Sequence, residues 1–188
     1  IKTIAERNGV EMYDVYTGFK WIANVMRENE GKKNYIGGGE ESYGFLCEDF
    51  VRDKDAVSAC VILAEIAAWA KDQGLSLYQL LQKIYVEYGF SKEKGISVVK
   101  KGKSGAEEIE AMMKKFRENP LTEIAGSKVT YFYDYSTLKG KDYAENETVT
   151  LDMPTTSNVL QYFTEDNTKV SIRPSGTEPK IKFYCEVH

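Results

Sequence analysis

With 188 residues, 42% of them hydrophobic and 29% charged, the chain can bury the core of one or two domains and is no disordered tail. A formal net charge of −4 and a pI near 5.3 argue against nucleic acid as a partner, which wants a broad basic face. The short run "KKGK" (Lys100 to Lys103) reads as a solvated loop, and no stretch has the pattern of a signal peptide.

The elements follow in chain order. "IKTIAERNGV" opens in helical register without a methionine, which points to the tail end of something longer, and Asn8-Gly9 is its stop. "VEMYDVY" alternates like a strand. Thr17 offers an N-cap to a helix carrying Phe19, Ile22, Ala23 and Met26 on one side, with Gly31 beyond its end. A strand "NYIG" leads into the loop "GGGEESYG". Asp53 or Asp55 starts the apolar run "AVSACVILAEIAAWA", which Ser58 and Glu65 interrupt and which is too short to cross a bilayer. It predicts a buried helix, with no membrane partner. Ser76 and Gln79 form a capping box for a helix with the stripe Leu77, Leu80, Leu81, Ile84 and Tyr88, ended by Gly89.

The second half changes character. "KGISVVKK" predicts a strand and "SGAEEIEAMMKKFRENP" a helix, capped by Ser104 and Glu107 and striped by Ile109, Met112, Met113 and Phe116. "SKVTYFYDY", "SNVLQYFT", "KVSIR" and "IKFYCEV" predict strands; in the last, Ile181, Phe183, Cys185 and Val187 share one face. The fold expected is α/β: an α/β sheet with flanking helices over 1–88, and over 89–188 an α+β module with a mainly antiparallel sheet and helices on one face. Cys47, Cys60 and Cys185 have no metal spacing and cannot all pair, which fits a reduced, cytoplasmic environment.

Two loops carry chemistry. In "RPSGTEPK", Arg173 can give two parallel hydrogen bonds to an anion, Ser175 and Thr177 add hydroxyls, and Gly176 permits a positive φ that would turn N–H groups inward. Pro174 and Pro179 stiffen the shoulders. A phosphate site and an ordinary polar turn both fit these residues, and the clustering favours the phosphate. In "IGGGEESYGF" the glycines precede Glu40 and Glu41, which would repel an anion, and no P-loop lysine follows. A carboxylate there suits neighbouring hydroxyls, with Ser42 beside it, although a plain tight turn with exposed acids also fits. Together the loops describe a sugar phosphate.

"TGFKW" (Thr17 to Trp21), "GGGEESYG" (Gly37 to Gly44), "VRDKDA" (Val51 to Ala56) and "RPSGTEPKIKFY" (Arg173 to Tyr184) resemble, in that order, the C-terminal half of the phosphoglucomutase and phosphomannomutase family. The resemblance implies an enzyme of four domains that moves a phosphoryl group between the 1- and 6-oxygens of a hexose. A phosphoserine in the first domain is the donor, hexose 1,6-bisphosphate the intermediate, and an aspartate-rich loop in the second domain holds Mg²⁺. On that pattern this chain is the third domain, lacking its first strand, and the fourth, a mobile TBP-like module. Glu40 and Ser42 would bind the 3- and 4-hydroxyls, with Gly18 and Lys20 in the specificity wall. Arg173, Ser175, Gly176 and Thr177 would clamp the phosphate that is not reacting, reinforced by Lys180. Lys54 matches a lysine near the phosphoryl-transfer centre of phosphoglucomutase-like members. The serine and aspartate loops do not occur here, and the lone histidine is the last residue, His188. The chain is therefore expected to hold no metal, to be catalytically silent, and to have the missing N-terminal domains and a hexose phosphate as partners. A self-standing sugar-phosphate binding or regulatory module is the alternative.

Overall fold

The structure, a computed structural model, describes residues 1–40, 43–100, 102–176 and 178–188. The chain divides into two compact units, Ile1–Gly89 and Phe90–His188.

The first unit begins with α1 (Lys2–Arg7), where Asn8 Nδ2 donates to the Ile4 carbonyl at 2.8 Å. "VEMYDVY" forms no strand. Extended backbone needs a neighbour to pair with, and here the side chains are engaged instead: Glu11 forms an ion pair with Lys33 at 2.5 Å, and the Tyr13 hydroxyl donates to Glu11 at 2.6 Å. Helix α2 (Phe19–Asn29) is preceded by Gly18, not capped by Thr17. Its Phe19 and Met26 pack with Leu46, flanked by Ile22 and Tyr35, as the only buried apolar cluster of this unit among the described residues.

The short strand falls on the glycines and not on "NYIG": β1 (Gly37–Gly39) pairs antiparallel with β2 (Phe45–Cys47), Gly38 opposite Leu46. Close packing explains the shift. A Cβ on Gly38 would lie 2.6 Å from the Tyr35 hydroxyl and 3.2 Å from Ile22 Cγ2. Burial pushes the Tyr35 phenol up to about 12.

Asp55, rather than Asp53, caps α3 (Ala56–Asp72), accepting from the Ser58 N–H at 2.7 Å; that hydrogen bond holds its carboxyl below the ordinary value. Helix α3 is not buried. Val57 is 73% exposed and Trp69 55%, and only Ala70 is sealed. A helix apolar all round needs neighbours on most sides, and a ribbon of two three-residue strands offers little surface. Helix α4 (Leu77–Tyr88) has the expected Ser76–Gln79 capping box and stops at Gly89, whose φ is 102°.

The second unit is one antiparallel sheet. Its strands are β3 (Lys92–Val99), β4 (Glu123–Ile124), β5 (Ser127–Asp134), β6 (Lys139–Asp142), β7 (Glu147–Thr150), β8 (Leu160–Thr164), β9 (Lys169–Pro174) and β10 (Lys180–Val187). They run in the order β3-β10-β9-β8-β5-β6-β7, with β4 paired to β5. Helix α5 (Gly102–Glu118) covers one face. It starts earlier than the sequence predicts, so Ser104 lies in its first turn instead of capping it; Lys100, just past β3, is paired with Glu108 at 2.8 Å.

Ile109 and Met113 of α5 meet Val129, Leu160, Tyr162, Val170, Ile172 and Ile181 of the sheet. The Tyr162 hydroxyl donates to the Phe116 carbonyl at 3.0 Å, and burial pushes its pKa up to about 12. All three cysteines are free thiols; Cys60 is exposed and Cys185 packs beside the core. No helix among the described residues is long and apolar enough to cross a membrane.

Two outcomes follow. Leu160→Ala, at 0% exposure, is expected to destabilise the second unit by about 2–5 kcal/mol in urea unfolding, because transfer and cavity costs add. In the β8–β9 turn, hydrogen bonds from the Thr164 hydroxyl and the Thr168 N–H hold the Asp166 carboxyl at about 2, below its ordinary 3.8. A depressed pKa stabilises the fold above the ordinary value, and that contribution is lost as pH falls toward the folded one. Asp166→Ala should therefore lower the melting temperature at neutral pH, and the gap to wild type should close between about pH 4 and pH 2.

Candidate functional site

Each unit carries one cluster. In the first, three stretches distant in sequence meet at the Glu40 carboxylate, whose side chain is 11% exposed. One oxygen accepts the Gly18 N–H at 2.9 Å, fixing the turn into α2, and the other lies 3.6 Å from Lys54 Nζ. The hairpin that presents Glu40 is closed by its own N–H donating to the Gly44 carbonyl at 2.8 Å. Gly44 must be glycine for the carboxylate to sit there, since a Cβ would come 2.8 Å from Glu40 Oε2 and 2.9 Å from Lys54 Cδ. An ionised carboxylate has about four acceptor positions. Among the described residues one is taken by the Gly18 N–H, and the Lys54 ammonium stands at ion-pair distance from the other oxygen. Ser42, its expected companion, lies outside the described residues.

Lys20 opens α2 with its ammonium 5.0 Å from the Trp21 ring, and Tyr16 packs edge-on against that ring at 5.8 Å. Along one stripe of α2, Lys20, Ala23, Asn24 and Arg27 line an open groove of about 430 Å³ with Arg52 and Asp53. Arg52 is paired with Glu30 at 2.7 Å. Lys54 is positioned by an Asp55 N–H bond to the Phe45 carbonyl at 3.0 Å, and its ammonium lies 5.8 Å from the Phe19 ring.

In the second unit "RPSGTEPK" joins β9 to β10. The turn is drawn shut by the Ser175 N–H on the Lys180 carbonyl and the Lys180 N–H on the Glu178 carbonyl, at 2.8 and 2.7 Å. It is anchored from outside by the Lys100 N–H on the Pro179 carbonyl at 2.8 Å. Gly176 does not adopt the expected positive φ, because these bonds close the turn without it. A Cβ there would meet nothing within 4 Å beyond its chain neighbours. Thr177 lies outside the described residues. Lys180 is ion-paired with Glu178, whose carboxyl is held below its ordinary value chiefly by that ammonium.

Register adds a cation that the loop motif does not contain. Lys182 is the cross-strand partner of Arg173. Ile172 and Ile181 point into the core, so Arg173 and Lys182 share the opposite face. Among the described residues neither has a carboxylate within ion-pair distance. The signal was present in the sequence: alternation in "KIKFYCEV", folded back about the turn, sets the two side by side. Among the described residues no group of three or more His, Cys, Asp or Glu side chains comes together as a metal site. The Mg²⁺ of the resemblance finds no ligand set among the described residues.

Residues 1–88 match the family profile "Phosphoglucomutase/phosphomannomutase, alpha/beta/alpha domain III", and residues 96–188 the profile of the C-terminal domain of the same family. The chain belongs to the phosphoglucomutase/phosphomannomutase family. Over 187 residues it is 37% identical to a phosphoglucomutase of Staphylococcus haemolyticus, covering 100% of this chain and 34% of the relative. A phosphoglucomutase of Staphylococcus aureus is 40% identical over 186 residues, 99% of this chain and 33% of that protein. The chain thus spans about a third of the length of the curated relatives it matches. Among solved structures, the exocytosis-sensitive phosphoprotein pp63/parafusin, a phosphoglucomutase from Paramecium in its open form, shares the fold. It aligns with a TM-score of 0.60 at 19% identity, over 99% of this chain and 30% of that one.

The Glu40 contact has its own readout. Glu40→Ala is expected to speed hydrogen exchange at the Gly18 amide at least tenfold, measured by NMR, while amides of the second unit's core stay protected.

Proposed function

We propose that this chain supplies the hydroxyl-reading and phosphate-holding parts of an enzyme that interconverts hexose 1-phosphate and hexose 6-phosphate through a phosphoserine and a hexose 1,6-bisphosphate. The observation that carries the reading is the convergence of three family motifs on one nearly buried carboxylate. Two vicinal hydroxyls donating to Glu40 make charge-assisted hydrogen bonds, each worth about 1.5–3 kcal/mol. Ser42 shares that task on the family pattern. The bisphosphate must turn over so that each end meets the serine, and hydroxyls 3 and 4 nearly exchange places in that turn. One acidic loop can therefore serve both orientations.

Arg173, with Ser175, Gly176, Lys182 and, on the family pattern, Thr177, would hold the phosphate that is not reacting. That site needs to recognise a phosphate and not the carbon that bears it. Lys20 would form part of the sugar wall, and Lys54 would set the charge beside Glu40. Lys180 is a reserve cation, because Glu178 must release it first. The phosphoserine, the Mg²⁺ site and hence the chemical step would belong to N-terminal domains of the complete protein. The chain alone is expected to bind hexose phosphates weakly and to show no mutase activity.

In the complete enzyme, Arg173→Ala should reduce kcat/KM by about 10–100-fold, the loss of a charge-assisted pair. A rate close to wild type would remove the phosphate assignment. Glu40→Ala should weaken the 1-phosphate and the 6-phosphate alike; a loss confined to one of them would refute a carboxylate shared by both orientations.

A further inference from the structure

The face of the second unit's sheet that α5 leaves uncovered bears an ordered row of polar side chains. Arg173 and Lys182 are cross-strand partners at its end next to the turn. In the next row Tyr184 is opposite Ser171, and Ser171 opposite Gln161. Gln161 Nε2 donates to Ser171 Oγ at 2.9 Å, and the Tyr135 hydroxyl donates to Gln161 Oε1 at 2.7 Å. Within this row the Tyr184 hydroxyl is different. It is buried yet has no hydrogen-bond partner, the only such side-chain atom among the described residues. The Lys182 ammonium lies 5.7 Å from the centroid of its ring.

A buried phenol normally finds a partner, because leaving one unpaired destabilises the fold. The natural partner for this one is an anion. Its ring carries the Lys182 ammonium, and Lys182 is the cross-strand partner of Arg173; among the described residues neither cation has a carboxylate within ion-pair distance, and a phenol can accept a hydrogen bond from an ammonium while donating its own proton. We propose that Tyr184 is a phosphate-binding residue. In the free protein the Lys182 ammonium lies over the Tyr184 ring. When a phosphate monoester docks against Arg173, the ammonium shifts toward it, and Tyr184 Oη donates to a phosphate oxygen. The assignment rests on the phosphate reading of Arg173 and adds a donor from the strand, one row away from the loop.

Tyr184→Phe separates this role from a structural one, since it removes the hydroxyl and keeps the ring. The probes are inorganic phosphate and glucose 6-phosphate, titrated into this chain by NMR, with glucose as the uncharged control. The variant should bind both probes about five- to tenfold more weakly, the loss of one hydrogen bond to an anion. Its melting temperature should hold or rise, because an unpaired buried hydroxyl has been removed. Unchanged affinity in Tyr184→Phe, where Arg173→Ala abolishes binding, would overturn the role of Tyr184 and leave the phosphate reading intact. A fall in melting temperature would also overturn it, by showing that the hydroxyl serves the fold. Wild-type protein that binds neither probe would instead defeat the phosphate reading of Arg173 itself.

Discussion

The Glu40 carboxylate accepts a hydrogen bond from the Gly18 N–H at the entry to α2 and stands opposite the Lys54 ammonium. Much of the first unit's geometry follows from satisfying that group. A carboxylate this sheltered needs partners, since burying charge without them is expensive. The partners come from both sides: the bend before α2 and the loop before α3. Gly44 has no side chain because the acid occupies that space, and Gly38 has none because Tyr35 and Ile22 do. Gly38 and Gly44 are therefore glycines that make room for packing, the latter around the acid itself.

The second unit solves a different problem. Its "RPSGTEPK" motif sits on a turn, where backbone is ordinarily free to move, but this turn is tied across its neck and anchored to the end of β3 through Pro179. Strand register, not the turn, aligns Arg173 with Lys182. The core beneath is built from α5 and the opposite face of the same strands. The positions of the cations are thus fixed by ladder hydrogen bonds and by side-chain packing on the far side of the sheet.

How far the sequence was legible depended on where each signal resided. Local signals carried through: the Ser76–Gln79 box and the Gly89 stop, and the stripe Ile109, Met112, Met113 and Phe116. Strands with apolar alternation, such as β9 and β10, were readable for the same reason. The strands β6 and β7, "KGKD" and "ETVT", were not; they have almost no apolar pattern, and β6 exists because β5 offers it an edge. "VEMYDVY" failed in the opposite way, with the pattern of a strand but no edge to join. In the site, residue types pointed to Glu40 and Arg173. Of the contacts that position them, Gly18 to Glu40 links residues far apart in the chain and only folding reveals it, whereas Arg173 beside Lys182 follows from strand alternation folded back about the turn.

Helix α3 has a practical consequence for anyone handling this polypeptide. Val57, Val61, Leu63, Ile66 and Trp69 present greasy surface to water, and ions that are excluded from protein surfaces strengthen every tendency to hide such surface. Ammonium sulfate should salt the chain out early, and phenyl resins should retain it. Environment-sensitive dyes such as ANS should light up in its presence under fully native conditions, so dye fluorescence would be a poor gauge of whether a preparation has unfolded.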